Sequence, residues 1–458
     1  MNAVAQATTQ APPDTGDHAG STRKTWQAVG LALTAVGLLQ FALALARVPI
    51  GRGWFALLLF LGPVSLGSTL YYAARYHGTT PGIKNNSTVT GALGSLGVVA
   101  FGLGVLLTGF YILLYWYPKG IAGATALSDP LSRVLRGAPA DQYFLYSFLY
   151  TVAVVLFGVR FIYRYRHNRY QIVRTFSVMF CQLGLAFLVP SFLRLLGQKE
   201  HYFTYFWPLS YNNLFPNSIT GLWADGHAFT IFIVFWSFVI SLVAVPILTY
   251  FVGKRWYCSW VCGCGGLAET AGDSFRHKSS KTLRAWRFER WSIHLVLVFI
   301  VVTTALLWLN LFWGGAILGK ASFHFARIYG FGVGMVLAGV VGVGFYPLLG
   351  NRVWCRFFCP QAALLGIFQR FLSRFRITTN GGQCMSCGNC SKYCEMGIDV
   401  RSYAQRGDNI VRASCVGCGI CAAVCPRGVL KLENGQTHAD RFDGAAKPLA
   451  EMMKSLKS

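Results

Sequence analysis

The sequence predicts a mainly α, polytopic membrane protein of about eight transmembrane helices that carries a small α+β domain towards its C-terminal end. Three observations predict it. Of 458 residues, 54% are hydrophobic and only 12% are charged, a composition outside the soluble range. Apolar runs of about twenty residues, each long enough to cross a hydrocarbon core as a helix, recur along the first three quarters of the chain. Beyond them, cysteines crowd into residues 384–425.

Residues 1–24, rich in Ala, Thr, Gln and Pro, read as a disordered tail. Residues 25–350 read as the membrane domain, with spans expected near 26–46, 54–74, 89–117, 143–163, 172–196, 228–252, 291–313 and 328–349. A net charge of +25 raises the possibility of nucleic acid. The basic residues fall between apolar runs instead of forming one soluble face, so the expected partner is membrane lipid and not nucleic acid.

Lys and Arg are retained on the cytoplasmic side of a membrane. Arg164, Arg166 and Arg169 follow the fourth span, and Lys254, Arg255, Arg276, Lys278, Lys281 and Arg284 follow the sixth, outnumbering Glu269 and Asp273. The alternate loops are nearly balanced, as in Lys199 with Glu200 and Asp225. Both termini and the cysteine-rich segment are therefore expected in the cytoplasm.

That segment, residues 379–435, holds two copies of one spacing: Cys384, Cys387, Cys390 and Cys394, then Cys415, Cys418, Cys421 and Cys425 followed by Pro426. In two-cluster bacterial ferredoxins the first three thiolates of such a run hold one [4Fe–4S] cube and the fourth reaches the other. The spacing thus predicts one cluster on Cys384, Cys387, Cys390 and Cys425, and a second on Cys415, Cys418, Cys421 and Cys394. Structural zinc takes four ligands and leaves the third and fourth cysteines of each run unexplained. A disulfide framework is disfavoured in a reducing compartment. Gly388, Gly417 and Gly419 are expected to permit the tight turns, and Val416, Ile420 and Val424 to shield the cubes.

Upstream lies an internal repeat. Lys254-Arg255-Trp256-Tyr257-Cys258 continues to Cys262, and Asn351-Arg352-Val353-Trp354-Cys355 continues to Cys359-Pro360. If each segment stays helical, cysteines four apart share a face and form half a site. Cys258, Cys262, Cys355 and Cys359 together could ligate a third iron–sulfur or metal centre at the cytoplasmic membrane surface, with Cys264 as an alternative ligand. The competing reading is that these are small buried packing residues, as free cysteines commonly are.

These motifs resemble those of the NapH/NosR-type membrane polyferredoxins, relatives of the CcoG/FixG-type proteins, in which paired Cys-x-x-x-Cys-Pro motifs precede a two-cluster ferredoxin domain. The resemblance covers about residues 228–432. Cys355-Arg356-Phe357-Phe358-Cys359-Pro360 matches in full, whereas Gly263 and Glu395 stand where the pattern has proline. The resemblance implies electron transfer at a bacterial inner membrane, between the quinone pool or a membrane redox partner and a flavoprotein or other respiratory component. It leaves open an alternative: a redox-sensing or metal-reducing factor in the assembly of a respiratory complex. No Gly-x-Gly-x-x-Gly follows a strand and no phosphate loop is present, so no catalytic residues are assigned and an independent substrate-converting enzyme is disfavoured.

Two segments remain. Residues 351–378 join the second cysteine pair to a helix whose apolar residues Leu364, Leu365, Phe368, Phe371 and Leu372 recur near helical spacing, as in an interfacial amphipathic helix. The loop from His201 to Trp223 is crowded with aromatics and reads as an interface belt, with a quinone pocket as the sharper alternative. Residues 436–458 read as a polar tail.

Overall fold

A computed structural model describes residues 16–77, 97–316, 319, 321–380 and 383–434. Among them, eight helices are long and apolar enough to cross a membrane: Ser21–Leu45, Gly53–Tyr76, Gly97–Trp116, Gln142–Tyr165, Arg169–Leu195, Ala228–Phe251, Leu283–Phe312 and Ala321–Val341. Each overlaps one of the expected spans. The first helix begins at Gly16, so residues 16–24 are helical and not a disordered tail. Residues 1–15, 89–96 and 436–458 lie outside the described residues.

The first two spans form a hairpin whose backbones touch, with Gly30 against the Gly67 carbonyl and Gly67 against that of Gly30. In lipid, where hydrophobic burial gives helices no reason to associate, such small residues permit the close approach that drives packing. Stretches of the fifth, sixth and eighth spans are wound as π-helix, over Cys181–Leu188, Val239–Ala244 and Gly330–Val341. Such local widening is frequent at functional sites.

Between the sixth and seventh spans the chain folds back into the bundle. Trp256–Trp260 and Gly263–Thr270 are short helices meeting at Cys262. Gly263 lies against Gln182, midway along the fifth span, and against Tyr150 of the fourth. Further along, Glu269 pairs with Arg174, near the beginning of the fifth span. The hairpin therefore enters to about half the depth of the bundle and returns. Backbone of this kind is tolerated at membrane depth only where protein surrounds it.

The ferredoxin-like region has little sheet. Strand β1 (Phe375–Thr379) pairs antiparallel with β2 (Leu430–Asn434), Ile377 opposite Leu432, and Ile377 also bridges to Ile410. Between the eighth span and β1, helix Pro360–Leu372 packs on the seventh span and on the end of the sixth. Its buried face is Ala362, Ala363, Leu365, Gly366 and Gln369, while Ile367 and Phe371 are exposed. The apolar residues expected on a single face are thus divided between the bundle and the exterior.

Candidate iron–sulfur centres

Seen from the ferredoxin backbone, the two cysteine runs cross. Each run turns through a glycine with positive φ, Gly388 at 77° and Gly419 at 70°, into a one-turn helix. The turn aims three thiols at one cavity and leaves the fourth, past the helix, at the other. The structure gathers Cys384, Cys387, Cys390 and Cys425 around one cavity, with Arg401 and Arg427 beside it. Around a second it gathers Cys394, Cys415, Cys418 and Cys421. Val416, Ile420 and Val424 are fully buried.

Among the described residues, no three His, Cys, Asp or Glu side chains converge as ligands of a single metal ion. Four thiols spread around a cavity instead suit a polynuclear cluster, whose ligands must stand apart around its core. The donor chemistry fits: the backbone N–H of Ile398 points at Cys394 Sγ at 3.4 Å, the kind of bond that tunes a cluster. Burial pushes the Cys390 thiol up to about 11 and raises Cys394, Cys418 and Cys421. Loading the site must therefore displace protons.

The second cavity is pressed against the membrane domain. Side chains of that domain donate to backbone carbonyls of the 410–418 loop: Tyr170 Oη to Gly417 at 2.9 Å, Gln171 Nε2 to Cys418 at 2.7 Å, Lys254 Nζ to Ile410 at 2.8 Å, Arg255 Nε to Ala413 at 2.8 Å, and Ser259 Oγ to Val416. Each such bond contributes about 0.5–1.5 kcal/mol net. Lys254 is 2% exposed, and burial lowers its pKa although Cys415 lies close.

A buried ionic network surrounds this contact. Asp273 pairs with Arg164 and, at 3.2 Å, with Arg276; Glu269 pairs with Arg174. Glu395, the residue that replaces proline after Cys394, sits between Arg276 at 2.9 Å and Arg352 at 3.0 Å. Burial pushes the Glu395 carboxyl up, but Arg276 and Arg352 overcome it and hold it at about 2. With Arg160 at 3.7 Å from Asp273, five arginines face three carboxylates. A surplus of buried cations is costly alone, and it suits anionic groups held in thiolate shells nearby.

Cys258, Cys262, Cys355 and Cys359 are all buried within one continuous core, which also takes in Cys390, Cys415 and Cys421. The repeat folds as a repeat. Each first cysteine sits in a short helical turn, and each second cysteine leaves it in extended conformation as the N-cap of the next helix. Arg255 donates to the Cys355 carbonyl at 3.1 Å, and Arg352 donates to the Cys258 carbonyl at 3.0 Å. The helix expected to run through each pair is broken before its second cysteine. The four thiols are brought together by two halves crossing, not by one helical face.

This group lies deeper than the membrane surface. Tyr205 touches Gly263, and Tyr257 Oη donates to the Thr204 carbonyl. The 201–223 loop is only in part exposed as a belt would be: Thr204, Phe206, Leu214 and Phe215 are buried and Trp207 donates to Thr304 inside the seventh span, while Tyr202 and Trp223 are exposed. The position of Gly263 also accounts for the missing proline. A Cβ there would strike Gln182 and the Tyr205 hydroxyl.

Comparison with known proteins agrees with the cysteine geometry. Residues 383–430 match the 4Fe-4S dicluster domain family, and residues 234–282 and 331–378 match the 4Fe-4S binding domain family, one match for each half of the repeat. The chain carries regions similar to 4Fe–4S domains, beside eight helices long and apolar enough to cross a membrane. It is 26% identical over 203 residues to YccM of Escherichia coli, a candidate electron transport protein by its name, covering 42% of this chain and 53% of that one. It is 27% identical over 161 residues to the methylamine utilization ferredoxin-type protein MauN of Methylobacillus flagellatus, covering 34% and 53%. The chain thus spans about half the length of the curated relatives it matches. No solved structure matches it.

The sequence alone pointed to the cysteines but not to Glu395, Arg276 or Lys254 as part of their surroundings. The signal for Glu395 was visible: an acid in a position where proline is usual.

Proposed function

We propose that this polyferredoxin relays electrons through two [4Fe–4S] clusters, on Cys384, Cys387, Cys390 and Cys425 and on Cys415, Cys418, Cys421 and Cys394, and through a third centre on Cys258, Cys262, Cys355 and Cys359. The relay joins a soluble or flavoprotein partner on the ferredoxin side to the quinone pool or another membrane redox partner. The observation that carries this reading is the one core shared by all three cysteine sets.

Such clusters supply one-electron chemistry at potentials set by charge, hydrogen bonding and exposure. The chain's own residues provide those settings. Exposed Cys387 and Met385 open the first cavity to a partner in solution. Lys254, Tyr170 and Gln171 lock the second cavity to the bundle. Arg352 joins the second set to the third, since it holds Glu395 beside Cys394 and the Cys258 carbonyl at once. The basic loops at this end of the bundle support a cytoplasmic ferredoxin.

Iron and acid-labile sulfide analysis of anaerobically purified protein, with EPR after dithionite reduction, tests the reading. About ten to twelve irons per chain are expected for three centres. About eight would remove the third centre, and fewer would overturn the pair in the ferredoxin region.

A further inference from the structure

Where the seventh span begins, Arg284, Arg287 and Arg290 are exposed, while Glu289 is buried and taken by Arg356 at 2.7 Å. The ring of Trp286 meets two guanidinium groups, Arg290 at 5.4 Å and Arg412 at 5.0 Å from its centroid. Arg412 comes from the ferredoxin-like region, in the loop that leads to Cys415. Its backbone is pinned, the carbonyl accepting from Gln369 Nε2 and from the Cys415 N–H at 2.9 Å. Its side chain is not: Nε and Nη2 are buried without a hydrogen-bond partner. Among the described residues, neither Arg290 nor Arg412 has a carboxylate partner.

Two cations that share one indole repel each other, and buried N–H groups without acceptors are costly. A single phosphodiester between them answers both, because a guanidinium fork matches two phosphate oxygens. The helix below the pair identifies the molecule that carries the phosphate. Trp291, Leu295 and Val298 are 73%, 61% and 56% exposed and follow one another at helical spacing into the span, a surface suited to acyl chains. Arg287 lies one turn before Trp291 on the same stripe. Arginines at headgroup level above a lipid-facing apolar stripe suit an anionic lipid. An acidic protein segment would match the arginines and leave the stripe unexplained.

We infer that this corner binds an anionic glycerophospholipid, its phosphate between Arg290 and Arg412 and its acyl chains along Trp291, Leu295 and Val298. The site stands independently of the relay proposed above and needs no cluster. Arg412 belongs to the 410–418 loop, which Lys254 and Arg255 already hold from the membrane side. The lipid therefore bridges the seventh span to the ferredoxin-like region, and the docking of that region becomes sensitive to the lipid composition of the membrane.

Native mass spectrometry of the full-length chain in detergent, titrated with phosphatidylglycerol and separately with phosphatidylcholine of the same acyl chains, tests the site. Phosphatidylglycerol should be held about tenfold more tightly than phosphatidylcholine. Arg290→Gln and Arg412→Gln should each reduce that preference about fivefold, whereas Arg133→Gln, at an exposed arginine paired with Asp129, should leave it unchanged. Proteolysis of residues 383–434 should be slower in phosphatidylglycerol vesicles than in phosphatidylcholine vesicles, and Arg290→Gln should remove the difference. Equal retention of the two lipids, or an unchanged preference in Arg290→Gln, overturns the site. Arg290 is exposed, so its variant decides the matter even where Arg412→Gln does not fold. Equal proteolysis in both vesicles overturns the bridge. Displacement by inorganic phosphate alone assigns the arginines to a free anion, and displacement by polyglutamate ahead of phosphatidylglycerol assigns them to an acidic protein; either overturns the lipid.

Discussion

The two cysteine cavities of the ferredoxin-like region share one spacing and one local fold, yet they stand in opposite surroundings. Around the first, Cys387 is exposed, Met385 is 58% exposed, and Arg401 and Arg427 face solvent. Around the second, the wall is completed by the membrane domain, with Lys254 buried beside Cys415 and Cys421 and the Arg276–Glu395–Arg352 bridge next to Cys394. The motif supplies ligands, and the surroundings decide what each set can meet. One set lies open to solvent, and the other meets the bundle.

The strongest way to separate them is to remove one ligand from each. Cys387→Ser and Cys418→Ser should each lose about four irons, one cube's worth. Only the second should also slow transfer onward to the membrane, measured as quinone reduction after rapid reduction by dithionite. Equal effects on that transfer would erase the distinction between the two cavities.

The ionic bridge comes next. Glu395→Gln removes the carboxylate that Arg276 and Arg352 share and leaves them only Asp273 and Glu269 nearby, at a cost of about 3 kcal/mol, the lower end for breaking a buried pair. Increased protease sensitivity of residues 383–434 would report the loosened dock. The same bridge gives a pH dependence whose sign is fixed. The folded-state pKa of Glu395 is depressed from 4.5 to about 2, so its stabilisation is complete above the unfolded value and is lost as the pH falls from about 4.5 through about 2. Thermal unfolding across that window should show the loss, and Glu395→Gln should flatten it.

The smallest of these effects concerns tuning. Lys254→Met removes a buried cation from the second set only, and should lower the potential of that set by about 60 mV, equivalent to about 1.4 kcal/mol for one electron. Redox titration followed by EPR resolves the two signals. A shift of the solvent-facing set instead would reverse the assignment of surroundings.

Much of this was legible in the residues. Twenty-residue apolar runs depend on local composition alone, so the eight spans could be placed before any contact was known. The crossed ligand sets are likewise implicit in a spacing. The remainder depends on tertiary partners, which periodicity does not encode. Glu269, Asp273 and Arg276 read as charges of a solvated loop that fix topology, yet Asp273 and Arg276 are fully buried and Glu269 nearly so. Their loop turns back into the bundle, where Arg164 and Arg174 from neighbouring spans meet them. The aromatic 201–223 loop misled for a related reason. Aromatic residues suit an interface and a protein interior alike, and only contacts such as Tyr257 with Thr204 distinguish the two.

The reciprocal arginine bonds have a consequence for biosynthesis. Arg255 leaves the ribosome about a hundred residues before Cys355, whose carbonyl it needs. At ordinary synthesis rates that is a wait of about 5–20 s. Throughout it, Cys258 and Cys262 are already made while the other two thiols of the set do not yet exist. On the proposed assignment of a third centre, iron delivery to this position follows insertion of the eighth span, and a factor that shields the early pair from stray metal or oxidant would act in that interval.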